Sequence, residues 1–319
     1  MEETGNTRRV LAVTGPTATG KTCLGVLLAR RLDGEVVSVD SMQVYRRMDI
    51  GTAKPTPEEM RGIPHHMLDV ADPEEDFSVA RYVELAAPCV DDILARGKLP
   101  IVAGGTGLYL DSLLSGRTFA PFSPDGGLRA RLEARFDALG GEAMLGELAA
   151  ADPEAAARLH PNDRKRIVRA LEVFQQTGKT ISQHNRETRA LPLRYDALTL
   201  SLAFQRREDM WARIDRRVDE MMAAGLAEEV RALLDSGVPA RCTAMQAIGY
   251  KEMAAAQRGG GDVCAAAEEI KLRSRQYAKR QLTWFRRTEG AKWLFWGPEP
   301  DFEAACRTST KYLEEFGLV

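Results

Sequence analysis

Eight consecutive residues, Gly15-Pro16-Thr17-Ala18-Thr19-Gly20-Lys21-Thr22, fit the pattern G-x-x-x-x-G-K-[ST] at every fixed position. Their types suit the capture of an anion. Gly15 and Gly20 let the backbone turn tightly and bring amide N–H groups close to a phosphate. Lys21 adds a mobile positive charge, and Thr22 can offer its hydroxyl to a phosphate-bound Mg²⁺. Such a loop binds a polyphosphate without saying which one, and ATP sites use the same pattern. Two further residues stand where chemistry is possible. Asp40 follows the apolar run 35–39, and Thr106 follows the apolar run 99–103. A carboxylate at a strand end can act as a general base, hold Mg²⁺ on a nucleotide, or cap the strand. A threonine there can meet a substrate or cap the next helix.

The elements that must position these residues are legible in the sequence. Residues 10–13 form a short apolar strand, and 23–32 read as a helix with Leu24, Leu27 and Leu28 on one face. Helix N-terminal donors and the helix dipole then add to the anion site. A second strand spans 35–39. Residues 49–55 hold turn formers without an apolar period and read as a loop. A further strand is expected over 65–70. His65 and His66 within it point to opposite faces, so they read as structural rather than metal-binding. Ser78 is placed to cap a helix reaching about Arg96, with a kink or break expected at Pro88. Strand 99–103 runs into Gly104-Gly105-Thr106-Gly107 and a helix over 108–114. In doubly wound sheets, ligands bind at the carboxyl ends of the strands, so Asp40, Thr106 and residues 15–22 share one rim. The alternation predicts an α/β fold: a parallel sheet of the phosphate-loop type, flanked by helices.

The rhythm changes after Gly116. Residues 117–192 carry helical patterns over 128–139, 143–150 and 164–176, punctuated by Pro121, Pro124, Gly140-Gly141, Pro153 and Pro161. This predicts an all-helical insertion domain within a core made of 8–116 and 193–319. Strand character returns at 198–203. Helices follow over 208–224, 226–234 and 263–284, then a strand over 292–296 and a helix over 302–316.

Composition sets bounds. The chain has 319 residues, 44% hydrophobic content and a formal net charge of -2, which excludes a uniformly basic nucleic-acid binder but not local patches. None of the five cysteines, Cys23, Cys89, Cys242, Cys264 and Cys306, forms a C-x-x-C pair, so neither a zinc site nor a disulfide framework is suggested. Residues 1–9 are polar and unlike a signal peptide, and no apolar run is long enough for a bilayer, so a reduced, cytoplasmic setting is expected. Two basic stretches depart from the near-neutral average. One holds Arg158, His160, Arg164, Lys165, Arg166 and Arg169. The other holds Lys271, Arg273, Arg275, Lys279, Arg280, Arg286 and Arg287, with Tyr277, Trp284 and Phe285 among them. Cations interleaved with aromatics suit phosphates and unstacked bases; the alternative is a solvated helix face over a core.

Several stretches together resemble the bacterial tRNA dimethylallyltransferases. Besides the phosphate loop they are Ser38-Val39-Asp40-Ser41-Met42-Gln43-Val44-Tyr45-Arg46 with 48–55, Ile63-Pro64-His65-His66-Met67-Leu68-Asp69, and Gly104-Gly105-Thr106-Gly107-Leu108-Tyr109. Further on come Asn162-Asp163-Arg164-Lys165-Arg166 with 169–173, Gln246-Ala247-Ile248-Gly249-Tyr250-Lys251-Glu252, and Lys279-Arg280-Gln281-Leu282-Thr283-Trp284-Phe285-Arg286. The likeness covers nearly the whole chain. Segments 40–55 and 279–286 are its most specific parts.

The resemblance implies a reaction: transfer of a dimethylallyl group from dimethylallyl diphosphate to N6 of the adenosine just 3′ of the anticodon, with diphosphate released and Mg²⁺ present. It assigns Asp40 as the general base, and places Thr106 near the diphosphate and the target base. It makes Arg217 a diphosphate-binding arginine, in a register where Arg213 and Arg216 lie close by and Asp215 or Glu220 could pair with it. It assigns tRNA contact to Asp40-Ser41-Met42-Gln43, Lys165-Arg166-Ile167-Val168-Arg169, Gln246-Ala247-Ile248-Gly249-Tyr250-Lys251 and Lys279 to Arg286, with the helical insertion on the anticodon stem-loop. It implies a cytoplasmic enzyme, taken to be a monomer, with no membrane partner. Three competing readings explain fewer of these features. A phosphate-loop kinase of a small metabolite leaves the basic-aromatic helix without a role. An adenylate isopentenyltransferase would not need the insertion. A non-catalytic RNA-binding protein would not need Asp40 beside a phosphate loop.

Overall fold

The computed structural model describes residues 8–117, 119 and 127–318. The polar start, 1–7, and the expected breakers Pro121 and Pro124 lie outside the described residues. By backbone contacts the chain divides into two compact units, Met1–Leu114 with Arg194–Val319, and Ser115–Leu193.

The first unit is built on one sheet of six parallel strands: β1 (Arg9–Thr14), β2 (Gly34–Val39), β3 (His65–His66), β4 (Leu99–Gly104), β5 (Asp196–Phe204) and β6 (Lys292–Trp296), in the order β3-β2-β4-β1-β5-β6. All six residues of β2 and five of the six in β1 are buried, as expected of a sheet covered on both faces. Leu24 and Leu28 of the Lys21–Arg31 helix join Leu11, Val13, Ile101, Leu200 and Leu202 in its core. Register brings three carboxyl ends level, since Thr14 and Val39 both stand opposite Gly104. The rim expected to carry the chemistry is therefore a single edge.

Three expectations need correction. The strand foreseen over 65–70 is only two residues long. Met67 (φ 65°) and Asp69 (φ 55°) take left-handed conformations that no strand accommodates. The Val79–Ala95 helix, capped by Ser78 through the Arg81 N–H, runs through Pro88 without a break. Pro88 lies on its exposed face, where water can satisfy the carbonyl that loses its N–H donor. The Tyr250–Gly259 and Ile181–Arg189 helices were not expected. Among the described residues no helix is long and apolar enough to cross a membrane.

The second unit is helical. Its main elements are Gly127–Ala151, interrupted at Gly140 (φ 80°, ψ 166°), Arg164–Thr177 and Ile181–Arg189. Leu132, Met144, Leu148, Ile167, Val168 and Leu171 form its core. Glu172, 1% exposed, is paired with Arg129 at 2.9 Å and Arg169 at 2.7 Å.

Candidate active site

The phosphate loop connects β1 to the Lys21–Arg31 helix. Gly15 (φ 144°) and Gly20 (φ 79°) hold conformations that disfavour a side chain. A Cβ on Gly15 would lie 2.5 Å from the Leu202 carbonyl, and one on Gly20 would lie 2.6 Å from the Phe302 ring. The loop is braced from within and from outside. Thr19 Oγ1 donates to the Pro16 carbonyl at 2.8 Å, and Trp296 Nε1 donates to the Thr19 carbonyl at 2.9 Å. Ala18 takes φ 64°, a costly value for a residue with a Cβ. Lys21 Nζ donates to Pro16 O at 2.6 Å. Burial first, then the neighbouring Arg217 charge, bring the Lys21 ammonium down to about 7, while Asp40 pulls it the other way. Thr22 lies in the first turn of the helix and is partly exposed.

Asp40 ends β2. Its Oδ1 accepts the Met42 N–H at 2.8 Å and the Gln43 N–H at 3.2 Å, so the carboxylate does cap the turn with one oxygen. The Thr106 hydroxyl reaches across the rim. Thr106 Oγ1 accepts the Ser41 N–H at 3.1 Å, and the Thr106 N–H donates to Val39 O at 3.1 Å, tying the ends of β2 and β4 together. Gly104 permits this approach, because a Cβ there would stand 2.1 Å from the Val39 carbonyl. Gln43 Nε2 donates to the carbonyls of Thr52 at 3.3 Å and Ala53 at 3.0 Å, which anchors the 49–55 loop. Glu229 holds the same loop from the other side, accepting the N–H groups of Asp49, Ile50 and Gly51 at 2.9, 2.8 and 3.2 Å and the Tyr250 hydroxyl at 2.5 Å.

These pieces enclose a pocket of about 320 Å³. Thr17, Asp40, Arg217 and Arg280 supply polar and charged walls, and Ala18, Ile214, Val218, Met221, Ile248 and Ile270 supply an apolar one. Two helices form much of it. Arg207–Ala223 and Val263–Phe285 run antiparallel, stapled by Arg275–Asp215 at 2.6 Å and Lys271–Asp219 at 2.7 Å. The three arginines of this stretch differ in their partners, and Arg213 Nε also donates to the Ala18 carbonyl at 3.4 Å. Asp215 is taken by Arg275, Arg213 and Arg216 approach Glu299 at 3.6 and 3.8 Å, and Arg217 lines the pocket. Burial holds the Arg217 guanidinium below its ordinary value, with the Asp40 charge opposing.

Sequence reasoning missed Tyr277 as a pocket residue. Burial, then the Asp40 charge, push its phenol up to about 12, with Thr106 and Gln281 pulling the other way, and Arg280 sits 5.5 Å from its ring centroid. The signal available was the spacing Ile270, Ser274, Tyr277, which puts all three on one helix face.

The expected RNA-contact segments are mixed. Lys279, Arg280, Thr283 and Arg286 are exposed, and so is Trp284 at 38%. Leu282 is half-buried, and Gln281 and Phe285 are buried. In the second unit Lys165 and Arg166 are exposed, Ile167 and Val168 belong to its core, and Arg169 pairs with Glu172. In 246–251, Gln246 and Lys251 are exposed, while Ala247, Gly249 and Tyr250 are buried and Ile248 is half-buried. His66 pairs with Glu35 at 2.9 Å, and His65 Nδ1 meets Ile63 O at 2.8 Å. No group of three or more His, Cys, Asp or Glu able to hold a metal exists among the described residues.

A six-stranded parallel sheet flanked by helices, with a half-apolar pocket at its carboxyl rim, places the chain among the α/β proteins. The comparisons narrow this. The sequence profile described as IPP transferase matches residues 43–288, and that described as isopentenyl transferase matches residues 8–75. The tRNA dimethylallyltransferase 1 of Trichlorobacter lovleyi is 50% identical over 286 residues, 90% of this chain and 93% of that protein. The crystal structure of the full-length tRNA isopentenylpyrophosphate transferase of Bacillus halodurans is similar at a TM-score of 0.72 and 41% identity, covering 97% of this chain and 96% of that one. A eukaryotic dimethylallyltransferase acting on tRNA is similar at a TM-score of 0.78 and 29% identity, over 96% of this chain and 77% of that one. The chain belongs to the IPP transferase family, that of the tRNA dimethylallyltransferases.

Proposed function

We propose that this enzyme seats the diphosphate of dimethylallyl diphosphate on residues 15–22 and transfers the dimethylallyl group to N6 of adenosine 37, just 3′ of the anticodon of a tRNA. One observation carries the reading: Asp40, the phosphate loop and an apolar wall line the same pocket. An apolar wall of Ile214, Val218, Met221 and Ile270 suits a branched five-carbon group better than it suits a transferred phosphate.

N6 of adenine is a weak nucleophile, because its lone pair is delocalised into the ring. As N6 bonds to C1 of the donor, the C1–O bond breaks and its electron pair leaves with the diphosphate. Asp40 takes the N6 proton through the oxygen not engaged by Met42 and Gln43. The loop amides, Lys21 and Arg217 stabilise the charge growing on the leaving group. Among the described residues no cluster of His, Cys, Asp or Glu could cage a metal, but Mg²⁺ on a diphosphate needs few protein ligands. The Thr22 hydroxyl fits that role, and the ion would supply charge neutralisation on the diphosphate. Reaching N6 requires that the adenine leave its stack in the anticodon loop. Exposed Lys279, Arg280 and Arg286 on one unit, and Lys165 and Arg166 on the other, supply cations for the RNA backbone, and exposed Trp284 supplies a ring. The enzyme works as a cytoplasmic monomer in this reading.

The test is one incubation with labelled dimethylallyl diphosphate or ATP, offered with unmodified tRNA or AMP. Label from dimethylallyl diphosphate on tRNA supports the proposal. Label on AMP alone, or transfer only from ATP, refutes it.

A further inference from the structure

Gln281 lies in the segment that the family resemblance gives to tRNA contact, yet its side chain is 6% exposed. Its carboxamide is used at both ends. Oε1 accepts the Thr17 N–H at 2.9 Å, and Nε2 donates to the Gly105 carbonyl at 2.9 Å. The partners fix the orientation of the amide, since a backbone N–H can only donate and a carbonyl can only accept. Thr17 belongs to the phosphate loop, and Gly105 precedes Thr106. The space is shaped to the amide, because a Cβ on Gly105 would lie 2.3 Å from Nε2. Three residues on, Trp284 packs on Gly107, where a Cβ would lie 2.3 Å from its ring, and donates to Asp111 at 3.1 Å. The end of the Val263–Phe285 helix thus grips the 105–111 segment at two points while Lys279 and Arg280 face solvent.

We propose that Gln281 is a positioning residue for the transfer reaction, a strut that sets the phosphate loop against the Gly104–Gly107 turn, and not a contact to the RNA. It rests on the transferase reading of the pocket. The strut fixes where the leaving group sits relative to Thr106 and, through the Thr106–Ser41 bond, relative to the turn that Asp40 caps. Only a primary amide serves both partners. A carboxylate keeps the bond from Thr17 but sets negative charge against the Gly105 carbonyl, and an apolar side chain leaves both backbone groups buried without a partner.

The experiment compares Gln281→Glu, Gln281→Leu, Gln281→Ala, Gly105→Ala and the double variant Gln281→Ala with Gly105→Ala with the wild type. The readouts are kcat, the KM and Kd for tRNA, and the Kd for inorganic diphosphate. The strut predicts a fall in kcat of about 10²-fold, the usual effect of misplacing reacting groups by about 1 Å, with tRNA affinity held within about twofold. Diphosphate affinity falls several-fold. Gly105→Ala reproduces this split from the other side of the bond, and adding it to Gln281→Ala costs little more, because the amide it displaces is already gone. Should the leucine variant melt early, Gln281→Glu, of equal size, carries the test. Weakened tRNA binding with kcat preserved at saturation overturns the proposal, and so do unchanged kcat and diphosphate affinity. If the wild type transfers no dimethylallyl group while the variants still lose diphosphate affinity, the transferase reading fails and the strut stands.

Discussion

Lys21 gives the proposed leaving-group site a pH signature. In the free protein its ammonium is held at about 7, first by burial and then by Arg217. At pH 8 a group of that pKa is about 0.9 neutral, and at pH 6 about 0.1. A bound diphosphate favours the charged form and restores the proton. Binding at pH 8 should therefore take up about 0.9 proton, and Kd should rise about tenfold per pH unit above 7. Inorganic diphosphate itself ionises within this range, so the Lys21 contribution is read as the difference from Lys21→Met, which meets the same ligand. Isothermal titration of inorganic diphosphate, in buffers of different ionisation enthalpy between pH 6 and 9, measures both quantities. The causes of the shift fix the variants. Arg217→Gln removes a depressing charge and moves the break in log Kd to higher pH. Asp40→Asn removes a raising one and moves it lower, and Lys21→Met removes the Lys21 part of the slope. Folding has the opposite sign. The unfolded chain, with its lysine near 10.5, binds the extra proton between pH 7 and 10.5, so Lys21 makes the ligand-free fold more stable as pH rises through that window. A pH dependence of Kd from 7.5 to 9 and a proton uptake at pH 8 equal to those of Lys21→Met would refute the placement of Lys21 on the diphosphate.

Charge reversal at Lys279 and Arg286, both exposed and outside the pocket wall, should weaken tRNA binding and flatten its salt dependence, while dimethylallyl diphosphate affinity holds; unchanged tRNA affinity at low salt would make the patch an ordinary solvated face. Glu35 is 3% exposed, and Arg96, then His66, hold its carboxyl down at about 2 against burial. Its folded value lies below the unfolded 4.5, so its contribution is complete above pH 4.5 and lost as pH falls toward about 2. Glu35→Gln should lower the melting temperature at pH 7 and flatten its pH dependence between 4.5 and 2. An unaltered acid-unfolding curve would contradict this.

The sheet was legible because its strands are apolar on both faces and punctuated by glycine at their ends. Glu35–Val39 with Asp40, and Leu99–Ala103 with Gly104, announce both strand and rim. His65–Val70 misled because the apolar content of Met67, Leu68 and Val70 says nothing of a backbone that turns left-handed at Met67 and Asp69. The Tyr250–Gly259 helix was missed because its register is set by Tyr250 packing on Gly51 and bonding to Glu229, contacts between residues far apart in sequence. The same distance hides Gln281. A glutamine between arginine and leucine reads as one more polar surface residue until Thr17 and Gly105 are beside it. Which arginine of 213, 216 and 217 enters the pocket also depended on partners, Glu299 and Arg275, that no local pattern supplies.

The central claim is that Asp40 takes the proton from N6 during prenyl transfer. Asp40→Asn keeps the shape and most of the hydrogen bonding but cannot act as that base. Single-turnover transfer from dimethylallyl diphosphate to tRNA, with both affinities measured on the same preparation, is the direct test. At about pH 6, where Lys21 keeps most of its proton, the rate at saturation should fall by about 10²–10⁴-fold with both affinities nearly unchanged. A collapse of Mg²⁺-dependent phosphate affinity, with the chemical step preserved at saturation, would make Asp40 a metal ligand and contradict the account.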